Sequence, residues 1–137
     1  MSTFCPLLID DLNIDQTVVT ALGEGFGEIR CQHGLLPIPV PAVSHIAQTY
    51  GFTLSHINCR GEFITPTGAA IIAALEPKQC MPEQYKILKS GLGAGKRSYE
   101  RASLLRATLI EATEKNSEHD LVVELSTNID DSTAEML

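Results

Sequence analysis

Three prolines at alternating positions, Pro37, Pro39 and Pro41, constrain this chain more than any other feature. Each ring fixes its own φ and pushes the preceding residue toward extended backbone, so no helix forms before the series ends. Pro41 suits a first helical turn. Val43, Ile46, Ala47 and Tyr50 then recur at helical spacing, and Gly51 stands where a left-handed cap belongs; the pattern predicts a helix over 41–50. A second start signal is Thr65-Pro66-Thr67-Gly68, with Thr65 as N-cap and Pro66 at the first position. The apolar run from Ala69 to Leu75 follows it, ends before Pro77, and reads as a helix buried on most sides.

Extended segments fill the intervals. Val18 and Val19 centre a strand, Gly23 to Gly27 reads as a flexible turn, and Phe26, Ile29 and Cys31 belong to a second extended segment. Phe52, Leu54 and Ile57 form a short strand, with Phe63 and Ile64 as another extended piece. Tyr85, Ile87 and Leu88 give a strand entering a glycine loop, Gly91 to Arg97. Leu104 to Ile110 fits both a strand and a helix, with the strand favoured; Glu111 to Asp120 reads as an exposed loop, and Leu121 to Leu125 as a closing strand. Strands alternating with two helices imply an α/β or α+β domain: a mixed sheet with two main helices on one face.

The 137 residues match one ordinary domain, and 44% hydrophobic content fills a core. A formal charge of −7 gives no attraction to a phosphate backbone, so nucleic acid is not an expected partner. No run approaches the roughly 20 apolar residues of a membrane span, and the first residues lack the basic region and cleavage site of a signal peptide. A cytoplasmic location and no membrane association are the expectations. Cys5, Cys31, Cys59 and Cys80 lie at wide intervals with no C-x-x-C pair, which favours reduced thiols over a disulfide scaffold or closed zinc site.

Two patterns carry candidate chemistry. Cys31 and His33, one residue apart, point to the same face of an extended strand and can share one soft metal ion such as nickel, zinc or copper. The alternative is a buried thiol and a turn-forming imidazole. His45, His56 and Cys59 join such a site only if the fold brings them near, and His45 reads as a surface or packing residue. Thr65, Thr67 and Gly68 combine helix N–H groups, the positive end of a dipole and two hydroxyls, which suits a phosphate or carboxylate; the alternative is capping alone. Gly91 to Arg97 fails the nucleotide-hydrolase loop, because its first glycine stands one place too near Gly95-Lys96 and Arg97 replaces the hydroxyl. It remains a weak anion nest or a bulge. Asp130 and Asp131 read as hard-cation ligands or as a solvated pair, and nothing marks a nucleophilic triad.

Four motifs in order, Cys31-x-His33-Gly34-Leu35-Leu36-Pro37-x-Pro39-x-Pro41-Ala42, Gly61-Glu62-x-Ile64-Thr65-Pro66-Thr67-Gly68-Ala69-Ala70, Gly91-x-Gly93-Ala94-Gly95 and Thr127-Asn128-Ile129-Asp130-Asp131, resemble the nickel-insertion proteins that complete the nickel-pincer cofactor of lactate racemase. The likeness runs from about Asp11 onward. The resemblance implies a lyase that inserts nickel, its substrate metal, into a pyridinium-3,5-bisthiocarboxylic acid mononucleotide using CTP with magnesium or manganese. It further implies that residues 1–120 correspond to the family's middle region and 121–137 to the start of a truncated C-terminal domain or a terminal strand. The family's N-terminal glycine- and histidine-rich motifs are absent, so a shortened form working as a homo-oligomer or with a partner chain is expected. Under this resemblance Cys31 and His33 would present nickel, and Thr65, Thr67 and Gly68 would hold the mononucleotide phosphate; no catalytic residue is assigned. Two other classes stay open: a non-catalytic oligomerising module and a metal-free anion- or nucleotide-binding regulator.

Overall fold

A computed structural model describes residues 10–113 and 119–127. The elements run β1 (Gln16–Val19), β2 (Leu22–Phe26), β3 (Glu28–Cys31), β4 (Gly34–Pro37), α1 (Pro41–Tyr50), β5 (Leu54–Arg60), α2 (Pro66–Ala74), β6 (Tyr85–Ala94), β7 (Leu104–Thr113) and β8 (His119–Thr127). Four strands form the main sheet in the order β1-β8-β7-β6, with β1 parallel to β8 and the other pairs antiparallel. A parallel pair, β2 with β5, and the β3–β4 hairpin complete the mixed α+β architecture.

Strand alternation divides the apolar residues between the two faces of the main sheet. Val19, Val123 and Leu125 join Leu22, Val40, Val43, Ile64 and Ala69 in the larger core, so both helices cover one face. Val18, Ile110, Ala112 and Val122 build a smaller cluster with Met81 on the other. Both helices are bounded as their punctuation dictates. In α1 Pro41 opens the first turn and Gly51, at φ 69°, closes it by donating its N–H to the Ala47 carbonyl. In α2 the Thr65 hydroxyl oxygen accepts the Gly68 N–H, as an N-cap should.

Five local readings change. Glu111 to Thr113 and His119 to Asp120 are the ends of β7 and β8 rather than exposed loop, because they pair with each other across the antiparallel ladder, and α2 buries only Ala69 and Ala73 instead of most of its sides. Gly23 to Gly27 is largely strand β2 instead of a turn, because its backbone is buried and pairs with β5. A Cβ at Gly25 would overlap the carbonyl oxygens of Gly61 and Cys59, so the glycine allows close approach of two backbones rather than a bend. Gly91 and Gly93 lie inside β6, where pairing with Ala107 and Leu105 overrides their low strand propensity. Phe63 and Ile64 belong to the turn between β5 and α2 instead of a strand. Among the described residues no helix is long and apolar enough to cross a membrane.

Candidate anion-binding site

One end of the main sheet meets the first turn of α2, and a cavity of ≈ 380 Å³ opens there. Lys96 and Arg97 from the loop after β6, Ser103 before β7, Thr65 at the helix cap and Thr127 at the end of β8 all line it. Two cations and several hydroxyls, that of the α2 N-cap Thr65 among them, make this a place where a phosphate or carboxylate exchanges water for fixed donors. Its size lies at the lower end of small-molecule sites. Pro66 has no N–H, Gly68 donates to the Thr65 hydroxyl and Ala69 to the Thr65 carbonyl, which leaves Thr67 N–H as the first-turn amide without a described partner. The Thr65 hydroxyl keeps its own proton to donate, since its oxygen is the acceptor for Gly68.

The wall of this cavity is built around two glutamates. Glu62, only 8% exposed, forms an ion pair with Arg97 through Oε2 and Nη1. Tyr99 donates its hydroxyl to the Glu62 carbonyl at 2.7 Å, and its ring lies 4.7 Å from that of Phe63. Behind them Glu24, 3% exposed on β2, gathers the N–H groups of Gly25 (3.0 Å), Phe63 (2.7 Å) and Ile64 (3.3 Å) on its Oε1. Its Oε2 is buried without a hydrogen-bond partner among the described residues. Burial pushes the Glu24 carboxyl above its usual range against the pull of those three amides, and the nearby Glu62 charge adds to the rise. Hydrogen bonding to Tyr99, then to Glu62, raises the Arg97 pKa further, so this guanidinium is a permanent cation.

A second cavity, ≈ 570 Å³, adjoins the first and shares Phe63, Thr65, Leu105 and Thr127 with it. Its remaining walls are almost wholly apolar, from Leu22, Ile71, Ile72 and Leu75 on one side to Ala107, Leu109 and Val123 on the sheet. Gly68 lines this apolar chamber and not the basic one. Thr67 is exposed and lines neither.

Cys31 and His33 lie elsewhere, at the exposed β3–β4 hairpin, and line neither cavity beside Thr65. The His33 N–H donates to Cys31 Sγ at 3.4 Å, so the turn brings the thiol to the histidine backbone. Among the described residues no group of three or more His, Cys, Asp or Glu is arranged to hold a metal. Cys59 is buried, Cys80 is exposed, and both are free thiols like Cys31. His45 is exposed on α1. Asp130 and Asp131 lie outside the described residues. Sequence reasoning found Thr65 and noticed the Lys96-Arg97 end of the glycine stretch, but assigned no role to Glu24, Glu62, Tyr99 or Ser103. The only advance signal for Glu24 was a carboxylate set between two glycines.

The model of the nickel insertion protein family matches residues 4–137. The pyridinium-3,5-bisthiocarboxylic acid mononucleotide nickel insertion protein of Alkaliphilus metalliredigens is 41% identical to this chain, over 94% of the chain and 34% of that protein. The putative nickel insertion protein of Enterococcus faecalis is 36% identical, over 96% of the chain and 42% of its own length. The pyridinium-3,5-bisthiocarboxylic acid mononucleotide nickel insertion protein of Acetivibrio thermocellus is 37% identical, over 96% and 32%. The chain thus spans about a third of the length of most of these relatives. No solved structure matches it.

Proposed function

Because the chain belongs to the nickel insertion protein family, we propose that it holds the phosphate of a pyridinium-3,5-bisthiocarboxylate mononucleotide while nickel is inserted into that molecule. The observation that carries this reading is the convergence of Lys96, Arg97, Ser103 and Thr65 on one cavity at a helix N-terminus. Such a cradle suits the dianion of a mononucleotide, and the relatives' name supplies a substrate that has one. Thr65 is the residue of the sequence-derived set that reaches this cavity; Gly68 supports it by fixing the Thr65 hydroxyl through the cap bond.

Nickel is cargo in this scheme. Cys31 and His33 offer two soft ligands on an exposed hairpin, enough to receive an ion but not to enclose it. The substrate's own sulfur atoms, or protein outside this chain, would complete the coordination.

Calorimetry with inorganic phosphate and with a pyridinium mononucleotide tests the cradle. Binding lost in Lys96→Gln and Arg97→Gln supports it; unchanged binding in both overturns it.

A second reading has one observation in its favour. All ten residues of β6 are exposed at the sheet edge, with Ile87 64% and Leu92 53% exposed, which suits pairing between copies. Sedimentation showing only monomers at high concentration would end that reading.

A further inference from the structure

Glu62 presents a puzzle for an anion site. It places a carboxylate, almost fully buried, in the wall of a cavity otherwise furnished for negative charge. A charge of the ligand's own sign repels the ligand and weakens binding unless it does something else. The geometry supplies the something else. Glu62 Oε2 engages Arg97 Nη1, while the Arg97 side chain remains 56% exposed and lines the cavity. A guanidinium carries five donors in a planar fork, so one edge can be held by a carboxylate while the others face a ligand. Tyr99 also hydrogen-bonds this guanidinium, but without the carboxylate a long, half-exposed side chain in the loop after β6 samples more rotamers, and binding must then cover the entropy of ordering it.

The turn that carries Glu62 is itself immobilised from two sides. On the inner side, Glu24 Oε1 takes the N–H groups of Phe63 and Ile64. On the outer side, Tyr99 donates to the Glu62 carbonyl, and its ring covers Gly61 so closely that any Cβ there would overlap it. The side chain that anchors Arg97 therefore projects from fixed backbone.

We propose that Glu62 is the positioning residue for Arg97, holding the guanidinium in place to receive an anionic phosphoryl group, so that this carboxylate strengthens anion binding in spite of its sign. The inference rests on the reading of the cavity as a phosphate cradle and names the residue that preorganises it.

The test is the affinity of the 137-residue chain for inorganic phosphate, measured by calorimetry at fixed salt. Positioning and plain electrostatics predict opposite signs. If Glu62 acts by positioning, Glu62→Ala weakens phosphate binding by about tenfold, the scale of one charge-assisted hydrogen bond. Glu62→Gln keeps an acceptor for Arg97 at the same place and loses no more than about threefold. Adding Glu62→Ala to Arg97→Gln then costs nothing further, since the group it positioned is gone. Tighter binding in Glu62→Ala or Glu62→Gln, or equal additional loss in the double variant, would overturn the proposal. Lys96→Gln separates the levels of the argument. If it and Arg97→Gln weaken binding while Glu62→Ala tightens it, the cradle stands and the positioning role falls. If neither cation matters, both fall together. Should Glu62→Ala not fold, Glu62→Gln alone still decides the sign.

Discussion

Glu24 and Phe63, 39 positions apart in sequence, are joined by a 2.7 Å hydrogen bond from the Phe63 amide to a carboxylate oxygen inside the protein. Through it the second strand grips the turn that leads into α2. The grip is unusual in that the other oxygen of the same carboxylate is buried and unpartnered among the described residues. A charged carboxylate in that position is costly, and the carboxyl therefore holds its proton to higher pH than in the unfolded chain.

That difference predicts a pH dependence of stability. A native pKa above the ordinary value of 4.5 means that the contribution of Glu24 is fully present below 4.5 and is lost as pH rises through the higher native value. Urea unfolding of the wild type and Glu24→Gln across pH 4 to 8 should show the wild type losing stability relative to the variant as pH rises. A constant difference across that range would refute the assignment.

Glu24→Ala has a different consequence from Glu24→Gln. It strands three amides at once, and each buried donor without a partner costs about 1–3 kcal/mol. The alanine variant should lose on the order of 3 kcal/mol or more at every pH, read as a fall in the denaturation midpoint.

Gly25→Ala should be at least as damaging. The added methyl meets two backbone carbonyl oxygens, of Gly61 and Cys59, neither of which can rotate away. A loss of about 3 kcal/mol is expected, near the upper end for overpacking a core. A melting temperature within a degree or two of wild type would show that the two backbones are not in contact.

Thr65→Ala removes the acceptor for the Gly68 N–H and should cost about 1 kcal/mol, whereas Thr65→Ser should cost much less. The same alanine variant should also bind phosphate more weakly, because Thr65 lines the basic cavity. A variant that melts lower yet binds equally well would confine Thr65 to capping.

Nickel titration of the wild type against a Cys31→Ala/His33→Ala variant checks the hairpin. Weaker nickel binding in the variant is expected, and equal affinity in both would remove these residues from any account of the metal.

The parts of the fold that could be read in advance are those governed by local backbone chemistry. Pro41 and Gly51 bracket α1, and Thr65 with Pro66 starts α2, because the missing N–H, the fixed φ and the left-handed cap act within a few residues. The glycines misled for the opposite reason. Gly25 and Gly91 have identical local signatures to turn residues, and only partners far along the chain, β5 for one and β7 for the other, make them strand. The candidate site shows the same division. Thr65 announced itself by spacing to Gly68, but Glu62 and Arg97 are 35 positions apart and no periodicity links them. Cys31 closes β3 while His33 stands in the hairpin turn, so the shared strand face that their spacing predicted does not form and only the His33 N–H reaches the thiol; their separation from the cavity beside Thr65 depends on how a hairpin folds relative to a sheet, which spacing does not encode.

The order β1-β8-β7-β6 places the latest of the described strands in the interior of the sheet, with Asp15 accepting the Leu121 amide at 2.8 Å where β1 and β8 come together. On a ribosome, β1 would emerge first and wait without its neighbour for about a hundred residues of synthesis. Until β8 arrives, the only lateral mate described for Val18 and Val19 is the single bridge to Lys78, which takes the Val19 N–H at 2.8 Å, and the long ribbon of the sheet present by then is β6–β7. The assembled sheet therefore waits on its most distant pairing, and the local β6–β7 ribbon is closed long before the strand that joins it to β1 is available.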